Sequence, residues 1–287
     1  MSVGIAVVAG RSKGGTGGGE ADAIVLIADK QMTWSDGLKA DVEVEKKLEL
    51  REGWHLLFAG DASLAYEIGW YLRRVPVRDY RTRQALIEKT QGVYERLRER
   101  EFERLVLRRN LLTKKLVIGR DAPPHLLAQY YRSSADFDRD FGSDLILAGF
   151  DGPRAMVLTI KDGAPGIDQL GSFAVIGQGE TAAKPRLYEL GAQAHDGLEA
   201  ALYNAIAAKI AAENVASVGP GEDAWVLRRG RRVHRVDPAL IADLTLVVNT
   251  ASRSPLSAVR PKRPPRAWRE RLRVYAARVR AGGEPTW

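Results

Sequence analysis

The chain contains no cysteine among its 287 residues, which excludes disulfide bonds, thiol nucleophiles and thiolate metal sites together. Histidine is almost as scarce. His55, His125, His195 and His234 lie far apart without metal-ligand spacing, so no metal site and no cofactor is expected. No uninterrupted apolar run approaches the ~20 residues of a helical membrane span, and the apolar start lacks the basic leader and cleavage pattern of a signal peptide. A cytoplasmic protein without a membrane span is expected. Its chemistry must come from hydroxyls, carboxylates, amines or imidazoles.

The composition is that of a globular chain, 45% hydrophobic and 28% charged, long enough for one large domain or two small ones. The net charge of +8 is unevenly placed. Residues 251–287 hold ten Lys/Arg against two acidic residues, while residues 1–250 hold 34 of each sign. The reading is therefore a neutral domain over 1–250 and a basic Pro/Arg-rich tail over 251–287. Charge argues against nucleic acid as a partner of the body and leaves it open for the tail. Within the tail, Trp268, Leu272, Tyr275 and Val279 share one face at helical spacing, which predicts a short basic amphipathic helix. It either packs on the body or serves a neighbouring subunit or an anionic partner.

Along the body, two apolar runs, residues 2–9 and 23–33, flank a segment with six glycines in eleven residues (10–20). They predict a buried hairpin with a long mobile tip. The glycines lead back into a strand and not into a helix, which argues against a phosphate-binding loop. Residues 42–50 alternate as a half-buried strand, and residues 54–60 form a shorter apolar one. Asp61 has the character of an N-cap for a helix that Pro76 stops. A long helix is predicted over 82–112, then a polar insertion over 126–141 that takes no clear assignment. A strand meander spans 144–176, helices span 181–192 and 197–213, and a last hairpin turns at Gly230. This order predicts an α+β fold, a four-layer αββα sandwich of two antiparallel sheets flanked by helices.

The second residue is a hydroxyl residue. If the initiator Met is removed, Ser2 carries both a nucleophile and, in its α-amine titrating near about 8, a base. A serine that merely starts a strand is the plainer reading of that residue alone.

Several stretches in this order resemble proteasome β-type subunits of the N-terminal-nucleophile (Ntn) hydrolases, over about residues 1–240. These are Asp29 with Thr33 after an apolar run, the Lys46-Lys47 pair in residues 45–50, Ala59-Gly60 before the first helix, Ala148-Gly149-Phe150-Asp151, and Gly177-Gln178-Gly179. The resemblance implies that Lys47 sits beside the nucleophile with Asp29 as its counter-charge, and that Gly60 offers a backbone N–H to an oxyanion. It also implies a site role for Ser217. The chain departs from the family pattern at Gln178, where a Ser is usual, and at Asn214, where a carboxylate is. One alignment puts Ser2 on the nucleophile, and another, anchored on Val3-Gly4-Ile5, puts it two residues further on with nothing at that position. Isolated from the pattern, Asp29 and Lys47 read more simply as an ordinary salt bridge between sheet neighbours or as exposed ends.

The expected function is thus a proteasome-like peptidase or amide hydrolase using Ser2 after loss of Met1. It acts on a peptide or small-amide substrate, and assembles into a homo-oligomeric ring or stack with a possible unfoldase partner. The alternatives are a catalytically silent subunit or adaptor of the same fold with a basic interaction helix, and a small-amide hydrolase from elsewhere in the superfamily.

Overall fold

The structure is a computed structural model that describes residues 2–10, 21–33, 39–41, 45–51, 53–76, 82–118, 123–161, 164–166, 172–194, 196–253 and 266–281. The expected mobile tip at 11–20 and His195 lie outside the described residues.

Two five-stranded antiparallel sheets form the centre. The first has the order β10 (Phe173–Gly177), β1 (Val3–Gly10), β2 (Ala21–Asp29), β11 (Glu222–Arg228), β12 (His234–Arg235). The second has the order β5 (Lys47–Glu49), β6 (His55–Gly60), β7 (Ser143–Asp151), β8 (Arg154–Lys161), β9 (Ala164–Gly166). A short ribbon of β3 (Gln31–Thr33) and β4 (Lys39–Asp41) stands apart from both.

The continuous apolar character of β1 and β2 follows from burial on both faces. Val3, Ile5, Val7 and Ala9 pack with α5 (Glu180–Leu190), α6 (Leu198–Ala212), α7 (Pro238–Arg253) and α8 (Arg266–Ala281). The intervening Ala6 and Val8 join Leu57, Ala59, Ile146 and Ala148 of the other sheet. The strands of the second sheet show the same division, since Leu56 and Phe58 pack with α1 (Ala62–Leu72) and α2 (Arg83–Phe102). Alternate side chains thus serve different cores, so neither sheet presents a polar face along these strands.

Local signals set several boundaries. The Asp61 carboxylate accepts from the Ser63 and Leu64 amides at 2.8 and 3.2 Å and caps α1. Thr82 caps α2, which runs on through a π-helical turn at Glu103–Leu107 and a 3-10 turn at Arg108–Asn110. A short α3 (Lys114–Ile118) follows, and the segment read as a polar insertion is α4 (Pro124–Asp140), a helix with proline in its first turn. Phe137 of α4 packs edge-on against Phe102 at 5.2 Å, which ties α4 to the end of α2.

Helix α8 takes the first of the options open for the tail helix and packs on the body. Leu272, Tyr275, Ala276 and Val279 are buried in the same core as α6. Arg228 donates to the carbonyl of Val279 at 3.1 Å, and the Tyr275 hydroxyl meets His234 Nε2 at 3.1 Å. Among the described residues no helix is long and apolar enough to cross a membrane.

Candidate active site

Strand ends from both sheets converge at one edge of the inter-sheet core. The register Gly4↔Ala28 brings Val3 to the level of Asp29, the last residue of β2. The Val3 amide donates to Asp29 Oδ1 at 3.0 Å. The Lys46 ammonium donates to the same oxygen at 2.9 Å, and the Gly219 amide reaches Oδ2 at 3.4 Å. Asp29, Lys46 and Ser2 are all buried, at 1%, 4% and 4% exposure. A carboxylate with three donors on its two oxygens is a fixed acceptor. It therefore fixes the backbone immediately after Ser2 relative to a buried ammonium.

Burial pushes the Lys46 amine below its ordinary value, Asp29 opposes that shift, and the nearby charge of Lys209 adds to it. The sequence reading expects Lys47 as the partner of Asp29, and in the structure that partner is Lys46. Lys47 opens β5 opposite Leu57, and its amine pairs with Glu45 at 3.2 Å and lies 5.5 Å from the Trp225 ring. Lys46 lies one residue earlier, in a bend whose carbonyl accepts from the Phe58 amide, and there the side chain turns to Asp29.

The remaining expected residues fall around this centre at different distances. Gly177, at φ +81°, pairs with Val3 and presses on Ser2 so closely that a Cβ there would stand 2.2 Å from the Ser2 carbonyl oxygen and 2.8 Å from Ala59 Cβ. Ala59 and the Ser2 backbone thus meet at Gly177. Gly60 follows Ala59 at the end of β6 with φ +117°, and a Cβ on it would meet the Gly142 carbonyl at 2.6 Å. Only glycine suits either corner. Ser217 lies on the loop between α6 and β11 that also carries Gly219, and its buried Oγ has no hydrogen-bond partner among the described residues. Asn214 is turned outward, donating to the Ala211 carbonyl at the end of α6.

Two participants escape the sequence reading. Asp144, opposite Ala59 on β7, accepts from the Gly177 amide at 3.1 Å and fixes that corner. Lys209 is fully buried near the loop of Ser217. A cavity of about 650 Å³ opens beside Gly177, lined also by Gln178, Thr181, Lys184, Tyr188 and Val215. Among the described residues no three His, Asp or Glu side chains come together as a metal site would need.

The fold and site define a mixed α/β protein whose two antiparallel sheets gather their strand ends, including the start of the chain, around a buried lysine–aspartate pair. No protein-family model matches the chain and no curated protein matches it. Among solved structures it is similar to the Anbu (Gly-1) mutant from Hyphomicrobium sp. strain MC1, with 18% sequence identity, 91% of this chain and 99% of that chain covered, and a TM-score of 0.49.

Proposed function

We propose that the chain is an Ntn-type peptide or amide hydrolase of αββα architecture, with Ser2 as nucleophile once Met1 is removed. The observation that carries this reading is the sharing of Asp29 Oδ1 by the Lys46 ammonium and the amide of Val3, the residue bonded to Ser2. An N-terminal nucleophile needs its own backbone held beside a fixed positive charge, and this arrangement holds it so. Three of the apolar clusters among the described residues, one between the sheets and one outside each, support the layered architecture.

In the proposed reaction the Ser2 hydroxyl attacks the substrate carbonyl carbon and passes its proton to its own α-amine. The Lys46 ammonium stabilises the developing charge on Oγ, with Asp29 orienting it. The α-amine then protonates the departing amine as the C–N bond breaks. Water hydrolyses the ester and returns the hydroxyl to Ser2. The cavity lined by Gly177, whose corner packs on the Ser2 carbonyl, is the proposed space for substrate, and Gly60 is the proposed source of an N–H to the oxyanion. A homo-oligomer is part of the same proposal, supported by Tyr66 and Trp70, which stand 40% and 46% exposed one turn apart on α1.

The burial of Ser2 favours a second reading, a catalytically silent subunit of the same fold. Covalent labelling with an electrophilic peptide probe separates the two. The hydrolase reading expects one adduct on Ser2, lost in Ser2→Ala and Lys46→Ala. Absence of any Ser2 adduct on the wild-type chain leaves the silent subunit standing.

A further inference from the structure

Helix α6 is made mostly of Ala, Leu and Ile, yet it holds Lys209 with 0% exposure. A buried ammonium is tolerated only when it is paired and hydrogen-bonded. Lys209 donates to the Pro220 carbonyl at 2.8 Å, pairs with Glu222 Oε2 at 2.7 Å, and pairs with Glu213 one turn further along. Pro220 and Glu213 thus take two of its protons, and Glu222 balances the charge as an ion pair. Glu222 is held in turn by the Thr245 hydroxyl of α7 at 3.1 Å, and it is the register partner of Asp29 across β11 and β2.

These contacts close a circuit. Pro220 directly follows Gly219, the residue whose amide reaches Asp29 Oδ2. The lysine therefore grips the loop one residue away from its contact with the candidate site. We propose that Lys209 is a positioning residue, fastening the loop at Pro220 so that the Gly219 amide stays on Asp29 and the carboxylate keeps its aim on Lys46 and the Val3 amide. The catalytic consequence rests on the hydrolase reading above.

Electrostatics points the same way, because the Lys209 charge helps hold the Lys46 amine below its ordinary value. The charged groups near this pair are Asp29 on β2, Glu213 at the end of α6 and Glu222 on β11, with the Lys30–Asp223 pair at 3.5 Å on the edge. Removing a neighbouring positive charge raises the titration midpoint of any cation that faces it. A lysine acting only as a structural plug would alter stability and leave exchange at the Gly219 amide and the acylation rate alone.

The test uses the full chain with Lys209→Met, which loses both charge and donor, and Lys209→Gln, which keeps a donor. Acylation of Ser2 by the electrophilic peptide probe is followed from about pH 6 to about pH 10, with hydrogen exchange of residues 215–222 measured alongside. Lys209→Met is expected to acylate about 10- to 100-fold more slowly, with the alkaline limb, where Lys46 loses its proton, moved to higher pH and faster exchange at Gly219. Lys209→Gln is expected to recover part of the rate but not the pH position, and it carries the test alone if the Met variant does not fold. An unchanged rate and pH profile in folded variants overturns the inference and leaves the hydrolase reading intact. If the wild-type chain is not acylated, the hydrolase reading fails instead, and the inference is then judged by lysine side-chain 15N resonances. A changed Lys46 midpoint together with faster exchange at Gly219 supports it, and unchanged exchange at Gly219 overturns it.

Discussion

Lys46 and Asp29 form a buried ion pair 2.9 Å long at the point where the first strand of the chain begins. Lys47, its immediate neighbour, points elsewhere and pairs with Glu45, a residue whose side chain is 55% exposed. Breaking a buried pair from one side strands a charge, at a cost of about 3–5 kcal/mol. Lys46→Ala is accordingly expected to lower unfolding free energy by that order and to abolish Ser2 acylation. Lys47→Ala is expected to keep the acylation rate within about threefold and to cost less than Lys46→Ala, because the partner it leaves is the exposed Glu45. Paired urea melts and labelling assays check this, and equal losses in the two variants would contradict the assignment of Lys46.

Gly177 gives a second prediction. A side chain there meets both a left-handed backbone, which costs about 1–2 kcal/mol, and the Ser2 carbonyl at 2.2 Å. Gly191 has a similar φ of +66° but open space within 4 Å of where a Cβ would stand, so it serves as the control. Gly191→Ala should cost about 1–2 kcal/mol and leave acylation unchanged, whereas Gly177→Ala should cost more and displace Ser2 enough to lose acylation. Equal behaviour of the two variants would remove Gly177 from the site.

His55 makes stability depend on pH. It is 2% exposed, and burial together with the Lys47 charge pushes it down to about 3. The unfolded chain takes up this proton near about 6.5, while the folded chain resists until about 3. Its contribution is therefore fully present above about pH 6.5 and is lost as pH falls, at about 1.4 kcal/mol per pH unit. Urea midpoints at successive pH values should decline less steeply below about pH 6.5 in His55→Leu than in the wild type. Parallel declines would show that His55 titrates normally.

Helix α8 is expected to contribute to stability. Leu272 is fully buried beneath it, and truncating such a side chain costs about 2–5 kcal/mol. Leu272→Ala should lower the urea midpoint accordingly, while Arg273→Ala, on the outer face with a side chain 62% exposed, should leave it nearly unchanged. A chain indifferent to Leu272→Ala would have an undocked tail.

Much of the fold is legible in the residues themselves. The double-sided apolar runs of β1 and β2, the Asp61 cap and the spacing of Trp268, Leu272, Tyr275 and Val279 each report local physics that the structure keeps. Helix α7 is missed by the sequence reading, although the Asp237 carboxylate accepts from the Ala239 amide at 2.8 Å and Leu240, Leu244 and Val248 recur at helical spacing. In α4, Tyr130 and Phe137 recur at helical spacing amid polar residues that obscure the pattern. The site is less legible. Choosing between two consecutive lysines depends on a bend before β5 where strand alternation does not apply. Lys209 stands out on an apolar helix with Glu213 one turn away, but its partners Pro220 and Glu222 lie across the fold. Likewise, nothing near Asp144 in sequence indicates that it holds Gly177.

The most direct test of the central claim is the intact mass of the full chain before and after exposure to the electrophilic peptide probe, with the adduct located by peptide mapping. The account predicts a chain lacking Met1 that gains one adduct, on Ser2, and gains none when Ser2 is replaced by alanine. A chain that keeps Met1, or an adduct that survives Ser2→Ala, would contradict it.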